Sequence, residues 1–203
     1  MSRFRIFILL AAVLVLAALA GAAIHGAGSG NGNQAVTIGG PFQLVDQEGR
    51  PVTERALNGK WSAVFFGFTY CPDVCPTTLL ALAQTEDLLG PGAKDLQTVF
   101  ISLDPARDTP SQLKSYLAND SFPKRLLGLT GSPAQTDAVA KAYHVFYEKA
   151  GEGADYVVNH STMTYLMAPT GRFVCVLPYG LTPEQTAERI RKAMRAGRDA
   201  QSC

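Results

Sequence analysis

Residues 62–76 read SAVFFGFTYCPDVCP. Ser62 to Phe68 is almost continuously apolar, as in a strand buried on both faces. From Pro76 to Leu89 the pattern changes. Leu79, Leu82, Ala83 and Glu86 fall at i, i+3, i+4 and i+7, the spacing of one helical face. Gly90-Pro91-Gly92 ends that helix. Two thiols, Cys71 and Cys75, therefore sit where a buried strand hands over to a helix. Pro76 disfavours helical backbone at the residue before it, which predicts a helix starting at Pro76 with both cysteines on the preceding loop.

The pattern extends outward in both directions. Leu96 to Leu103 is a second buried strand. Thr109–Leu117 and Ser132–Tyr143 read as helices, each with a hydroxyl N-cap followed by proline. Thr162–Met167 and Phe173–Leu177 read as strands joined by the turn Ala168-Pro169-Thr170-Gly171, and Thr182–Ala196 is the last helix. Upstream, Phe42–Val45, a turn at Asp46–Gly49 and Pro51–Thr53 form a strand, turn and strand. Strands alternating with helices, then a hairpin, predict an α/β fold with a sheet covered on both faces. Its functional loops should leave the carboxyl ends of the strands.

Ile6 to Ile24 is different: 19 residues with no charge and no strongly polar side chain. About 20 apolar residues span a bilayer as a helix. Arg3 and Arg5 precede the run, which places the N-terminus in the cytoplasm and the remainder across the membrane. Ala18-Leu19-Ala20 resembles a signal-peptide cleavage site, but the apolar run continues past it, which favours an uncleaved anchor. Residues 1–25 are thus a transmembrane anchor or signal segment. Residues 26–35, rich in Gly and Ser, are a flexible linker, and residues 36–203 are one globular domain.

The 203-residue chain has 18 basic and 17 acidic residues, a formal net charge of +1. Leaving out Arg3 and Arg5 gives 16 against 17, a net of −1 for the exported part. No broad basic face for nucleic acid follows from this balance. With 47% hydrophobic and 17% charged residues, the chain is too apolar to be disordered. Its four cysteines are too few for a disulfide-stapled mini-protein.

The thiols are spaced C-x3-C, not the commoner C-x2-C of redox motifs. On a loop they are free to form a disulfide or share one metal ion. Cys75, beside the helix N-terminus, is the thiol expected to ionise. Of the three histidines, His160 in Val157-Val158-Asn159-His160-Ser161-Thr162 lies just before a predicted strand, 85 residues beyond Cys75. Two thiolates and an imidazole are a soft set that favours copper, with zinc also possible. Cys175 reads as a small buried hydrophobe within a strand. Cys203, the last residue, is either free or paired.

Three blocks together resemble the Sco (SenC) family of thioredoxin-like proteins: Gly67-Phe68-Thr69-Tyr70-Cys71-Pro72-Asp73-Val74-Cys75-Pro76, Ser102-Leu103-Asp104-Pro105-Ala106-Arg107-Asp108-Thr109-Pro110, and His160-Ser161 followed by Tyr165-Leu166. Gly39-Gly40-Pro41-Phe42 through Asp46-Gln47-Glu48-Gly49 is a softer match. The resemblance implies a thioredoxin-like domain tethered to the membrane by the N-terminal helix, with copper held by Cys71, Cys75 and His160 and tuned by Asp73. It implies a copper metallochaperone that delivers copper to the copper A centre of cytochrome c oxidase subunit II, or reduces that centre's cysteines through the redox pair Cys71 and Cys75. A thiol reductant and a copper donor would be its other partners, and the bacterial periplasm its compartment. Arg107 would pair with one of the neighbouring aspartates and hold the loop.

Two other readings share the cysteines. One is a thiol–disulfide oxidoreductase or peroxidase without a metal role. Asn159-His160-Ser161 weighs against it, standing where such enzymes carry a peptide-docking proline. The other is a copper or redox sensor acting through protein contacts.

Overall fold

A computed structural model of the chain describes residues 37–153 and 155–203. The expected anchor and linker lie outside the described residues. Among those described, no helix is long and apolar enough to cross a membrane.

The central element is β3 (Trp61–Gly67), every residue of which is buried. It pairs in parallel with β4 (Leu96–Ser102), also wholly buried. Beyond β4 lies β5 (Leu126–Thr130), again parallel. On the far side of β5 come β1 (Gln43–Asp46) and then β2 (Pro51–Thr53), both antiparallel to their inner neighbours. The other flank of β3 carries β8 (Thr164–Met167) and then β9 (Phe173–Leu177), also antiparallel. The sheet order is β2-β1-β5-β4-β3-β8-β9. A separate two-stranded sheet is made by β6 (Tyr147–Ala150) and β7 (Val157–His160).

Among the described residues, four α-helices cover the sheet: α1 (Val74–Leu89), α2 (Pro110–Leu117), α3 (Pro133–Ala142) and α4 (Pro183–Ala196). The alternation of β3 assigns them to faces. Trp61 and Ala63 pack with Leu82 and Leu89 of α1 and with Ala187, Ile190 and Ala193 of α4. Phe66 turns the other way, onto Tyr143 at the end of α3. Phe65 lies opposite Phe100 across the β3–β4 pair, and Phe100 carries Tyr116 of α2. The sheet is therefore covered on both faces, as the alternating pattern predicts.

The structure corrects the sequence reading at several element starts and at three strands. Helix α1 begins at Val74, with Asp73 as N-cap, so Cys75 is inside its first turn. Proline is tolerated at the third helical position because the first turn's N–H groups have no helical partner to lose. The strand expected at Thr162 starts at Thr164. Strand β5 carries no clear sequence signal, because Gly128 interrupts its apolar pattern. A Cβ at Gly128 would lie 2.3 Å from Leu117 Cδ1, so Leu117 of α2 fills the space that a side chain there would take. The β6–β7 hairpin has too few apolar residues to announce itself.

Cys175 is not a free hydrophobe. It forms a disulfide with Cys203, across 28 residues, joining the chain's last residue to the edge strand β9. Closing a loop of that length restricts the unfolded chain by about 3–4 kcal/mol. Replacing both cysteines by serine should therefore lower unfolding stability by about 3 kcal/mol in urea denaturation. An unchanged midpoint would show that the bridge contributes nothing.

Candidate metal centre

Strand β3 aims the chain at the site, and Gly67 at its end makes room for it. A Cβ at Gly67 would stand 2.8 Å from Cys75 Sγ, 3.0 Å from Phe100 Cε2 and 3.1 Å from Phe65 Cε1. The sulfur of Cys75 thus occupies the space a side chain would fill, and Cys75 is 0% exposed. Cys71, on the loop, is partly exposed, and neither it nor Cys75 is in a disulfide.

The backbone between the cysteines turns its donors toward Cys71. The N–H of Cys75 donates to Cys71 Sγ at 3.4 Å, and the Asp73 N–H also favours its ionised form. The Cys75 thiol donates to the same sulfur. This last bond, more than any other, holds the Cys71 pKa down to about 4, with His160 adding to the effect. Cys75 moves the opposite way. Its role as donor to Cys71, together with burial, pushes its pKa up. The ionised thiol is therefore Cys71 and not Cys75, contrary to the sequence expectation. The helix N-terminus does favour a thiolate, but its free N–H groups point at the neighbouring sulfur.

His160 arrives from a different sheet, as the last residue of β7. Its Nδ1 donates to the Ser161 carbonyl at 2.8 Å, which leaves Nε2 as the bare nitrogen. Nε2 lies 3.8 Å from Cys75 Sγ. The ring is packed edge-on between Phe65 and Phe68, with centroids at 6.2 and 6.0 Å. An ion about 2.3 Å from sulfur and about 2.0 Å from nitrogen would hold those atoms about 3.5–3.7 Å apart. The Cys75–His160 separation is thus close to that of two ligands sharing one ion. The trio as a whole is not yet closed: among the described residues no three His, Cys, Asp or Glu side chains form a ready cage. Cys71, Cys75 and His160 are brought together, and closure is left to the exposed loop.

Asp73 is exposed, and its carboxylate accepts from Thr77 Oγ1 at 3.2 Å, so its influence on Cys71 runs through its backbone N–H. Arg107 resolves its two alternatives by pairing with Asp104. Asp108 takes another role. It is fully buried and accepts from Thr69 N at 3.0 Å, Thr69 Oγ1 at 2.7 Å and Ser102 Oγ at 2.6 Å. The sequence offers Asp108 only as one of two aspartates within reach of Arg107. No local signal marks a contact spanning 39 residues.

Residues 30–195 match the SCO1/SenC family. The chain belongs to that family. SenC of Rhodobacter capsulatus is 42% identical over 163 residues, covering 79% of this chain and 72% of the relative. The mitochondrial SCO1 homolog 1 of Arabidopsis thaliana is 47% identical over 139 residues, 68% of this chain, yet these span only 41% of that longer protein. Among solved structures, Arabidopsis thaliana ScoI with copper bound superposes with a TM-score of 0.74 at 42% identity, covering 78% of this chain and 99% of that one. Bradyrhizobium japonicum ScoI with copper bound gives 0.70 at 43%, covering 76% and 98%. The α/β domain described above is thus the Sco fold that the motifs imply.

Two outcomes follow from this geometry. In the reduced, metal-free protein, iodoacetamide should modify Cys71 much faster than Cys75. Its rate should stay level down to about pH 5 and fall as Cys71 protonates near pH 4. Peptide mapping that finds Cys75 labelled first would contradict the assignment. Gly67→Ala should displace the Cys75 sulfur and cost about 1–3 kcal/mol of stability, read by thermal unfolding, as overpacking of a filled core does.

Proposed function

We propose that this protein is a copper metallochaperone of cytochrome c oxidase assembly, binding copper through Cys71, Cys75 and His160. The observation that carries this reading is the bare His160 Nε2 standing 3.8 Å from Cys75 Sγ, beside the thiolate of Cys71. Two sulfurs and one imidazole are few and soft ligands, which suits copper and leaves an incomplete shell from which the ion can pass on. Copper is the cargo here. The copper-bound structures of similar Sco proteins support the same choice of ion.

The recipient in this reading is the copper A centre of cytochrome c oxidase subunit II, with a copper donor and a thiol reductant as the other partners. A similar protein, BsSco, at 25% identity, is described as a member of the Sco family of cytochrome c oxidase assembly proteins. The N-terminal apolar segment would hold the domain at the membrane on the exported side, in the bacterial periplasm. The Cys175–Cys203 disulfide supports an oxidising compartment, since such bonds are rare in the cytosol.

The exposed thiolate with a buried partner favours a second duty, reduction of the recipient's cysteines. Cys71 would attack a partner disulfide, releasing one partner thiolate and forming a mixed disulfide. Cys75 would then lose its proton and attack Cys71 Sγ, releasing the second partner sulfur. The partner gains two electrons and this protein is left with a Cys71–Cys75 disulfide, which a reductant must reopen. Copper binds only the reduced pair, so loading and redox state are linked.

Cu(II) added to the reduced protein should produce an intense near-ultraviolet to visible thiolate-to-copper band, absent from Cys71→Ala/Cys75→Ala. His160→Ala should weaken Cu(I) binding by at least about tenfold in competition with a chelator, since even groups behind a ligand contribute that much. Undiminished binding by the double cysteine variant would overturn the copper assignment.

A further inference from the structure

The two halves of the site lie on different supports, and something must hold them in register. The cysteines leave the main sheet, whereas His160 ends β7 of a separate two-stranded sheet. An isolated hairpin of two strands is marginal in water, so its placement rests on side-chain anchors. Val158 of β7 is one, buried in the core. A further anchor lies between the two halves of the site.

Arg107 leaves the loop after β4 with its side chain only 16% exposed. Its guanidinium lies over the ring of Tyr156 at 3.6 Å and over that of Tyr70 at 4.7 Å, with Phe68 at 5.9 Å. Tyr70 and Phe68 belong to the cysteine loop, and Tyr156 immediately precedes β7, four residues from His160. Asp104 ties the same groups together: one carboxylate oxygen accepts from Arg107 Nε, and the other accepts from Tyr156 OH at 2.6 Å. Asp104 is itself rooted by its N–H to Ser102 Oγ at 3.0 Å, and its carbonyl accepts the Asp108 N–H at 2.9 Å. Lys149 Nζ closes the stack at 3.7 Å from the Tyr156 ring.

We propose that Arg107, with Asp104 and Tyr156, is a positioning cluster that holds the His160 hairpin against the Cys71–Cys75 loop. A planar guanidinium suits the place because it stacks on aromatic faces while its edge donates to a carboxylate. The cluster binds no ion itself. It determines how much ordering His160 must undergo before Nε2 meets the sulfurs. The affinity consequence rests on His160 being a ligand, and the structural consequence does not.

The experiment uses Arg107→Gln and Tyr156→Phe, each alone and combined with His160→Ala. Cu(I) affinity is measured by competition with a chromogenic chelator. Arg107→Gln should weaken binding about tenfold, and Tyr156→Phe, which keeps the ring, about threefold to tenfold. In the His160→Ala background both losses should fall below about twofold, because there is no imidazole left to position. Amide hydrogen exchange on the metal-free variants gives the second readout. Exchange at Val157–His160 should quicken while β3 and β4 stay protected. Equal losses with and without His160, or unchanged hairpin exchange in both variants, would overturn the proposal. If the unmodified protein binds no Cu(I), the copper reading fails, and hairpin exchange alone then decides the cluster's role. Should Arg107→Gln unfold, Tyr156→Phe carries both measurements.

Discussion

A buried carboxylate joins the ends of the two central strands. Asp108 makes no ion pair recorded among the described residues, and burial pushes its pKa up. Three donors offset that cost: the Thr69 N–H and hydroxyl from the end of β3, and the Ser102 hydroxyl from the end of β4. Hydrogen bonds to an ionised acceptor are the stronger kind, and they fix direction as well as distance. Gln112 of α2 adds a bond to the Thr69 hydroxyl at 3.2 Å. The loop that carries Cys71 therefore leaves the sheet from a backbone already tied on three sides.

On that base the site divides into a fixed part and an adjustable part. Cys75 is packed against Gly67, in the first turn of α1, with no room to move. Cys71 is partly exposed, ionised and held by N–H donors of the turn. His160 comes in on a hairpin of its own, with its tautomer chosen by the Ser161 carbonyl. The arrangement suits a group that must accept and release an ion or an electron pair. A closed four-ligand cage would hold its metal too well to pass it on.

The long-period signals were legible. The apolar run at β3, the helical spacing after Cys75 and the N-caps with proline at α2 and α3 name their elements because each signal is local. The failures have physical causes too. Gly128 breaks the pattern of β5 because a leucine from α2 needs the space. Helix α1 starts before Pro76 because an N-terminal proline forfeits no hydrogen bond. The partner of Cys203 is a cysteine 28 residues away, and spacing alone does not choose among four thiols. The ionised sulfur is Cys71 and not the residue at the helix start, because a helix N-terminus acts on whichever atom its N–H groups face.

From the amino-acid order alone came the alternation of strands and helices, the two thiols at a strand end, the histidine before a late strand and the family these blocks resemble. All of these are properties of neighbours along the chain. Folding decided the rest: which cysteine is buried and which ionised, that Nε2 of His160 faces sulfur, that Asp108 ties two strand ends and that Arg107 lies between two tyrosines 86 residues apart. Those contacts join segments that meet only when the sheet closes, and their energies depend on burial and on angles that no local pattern encodes.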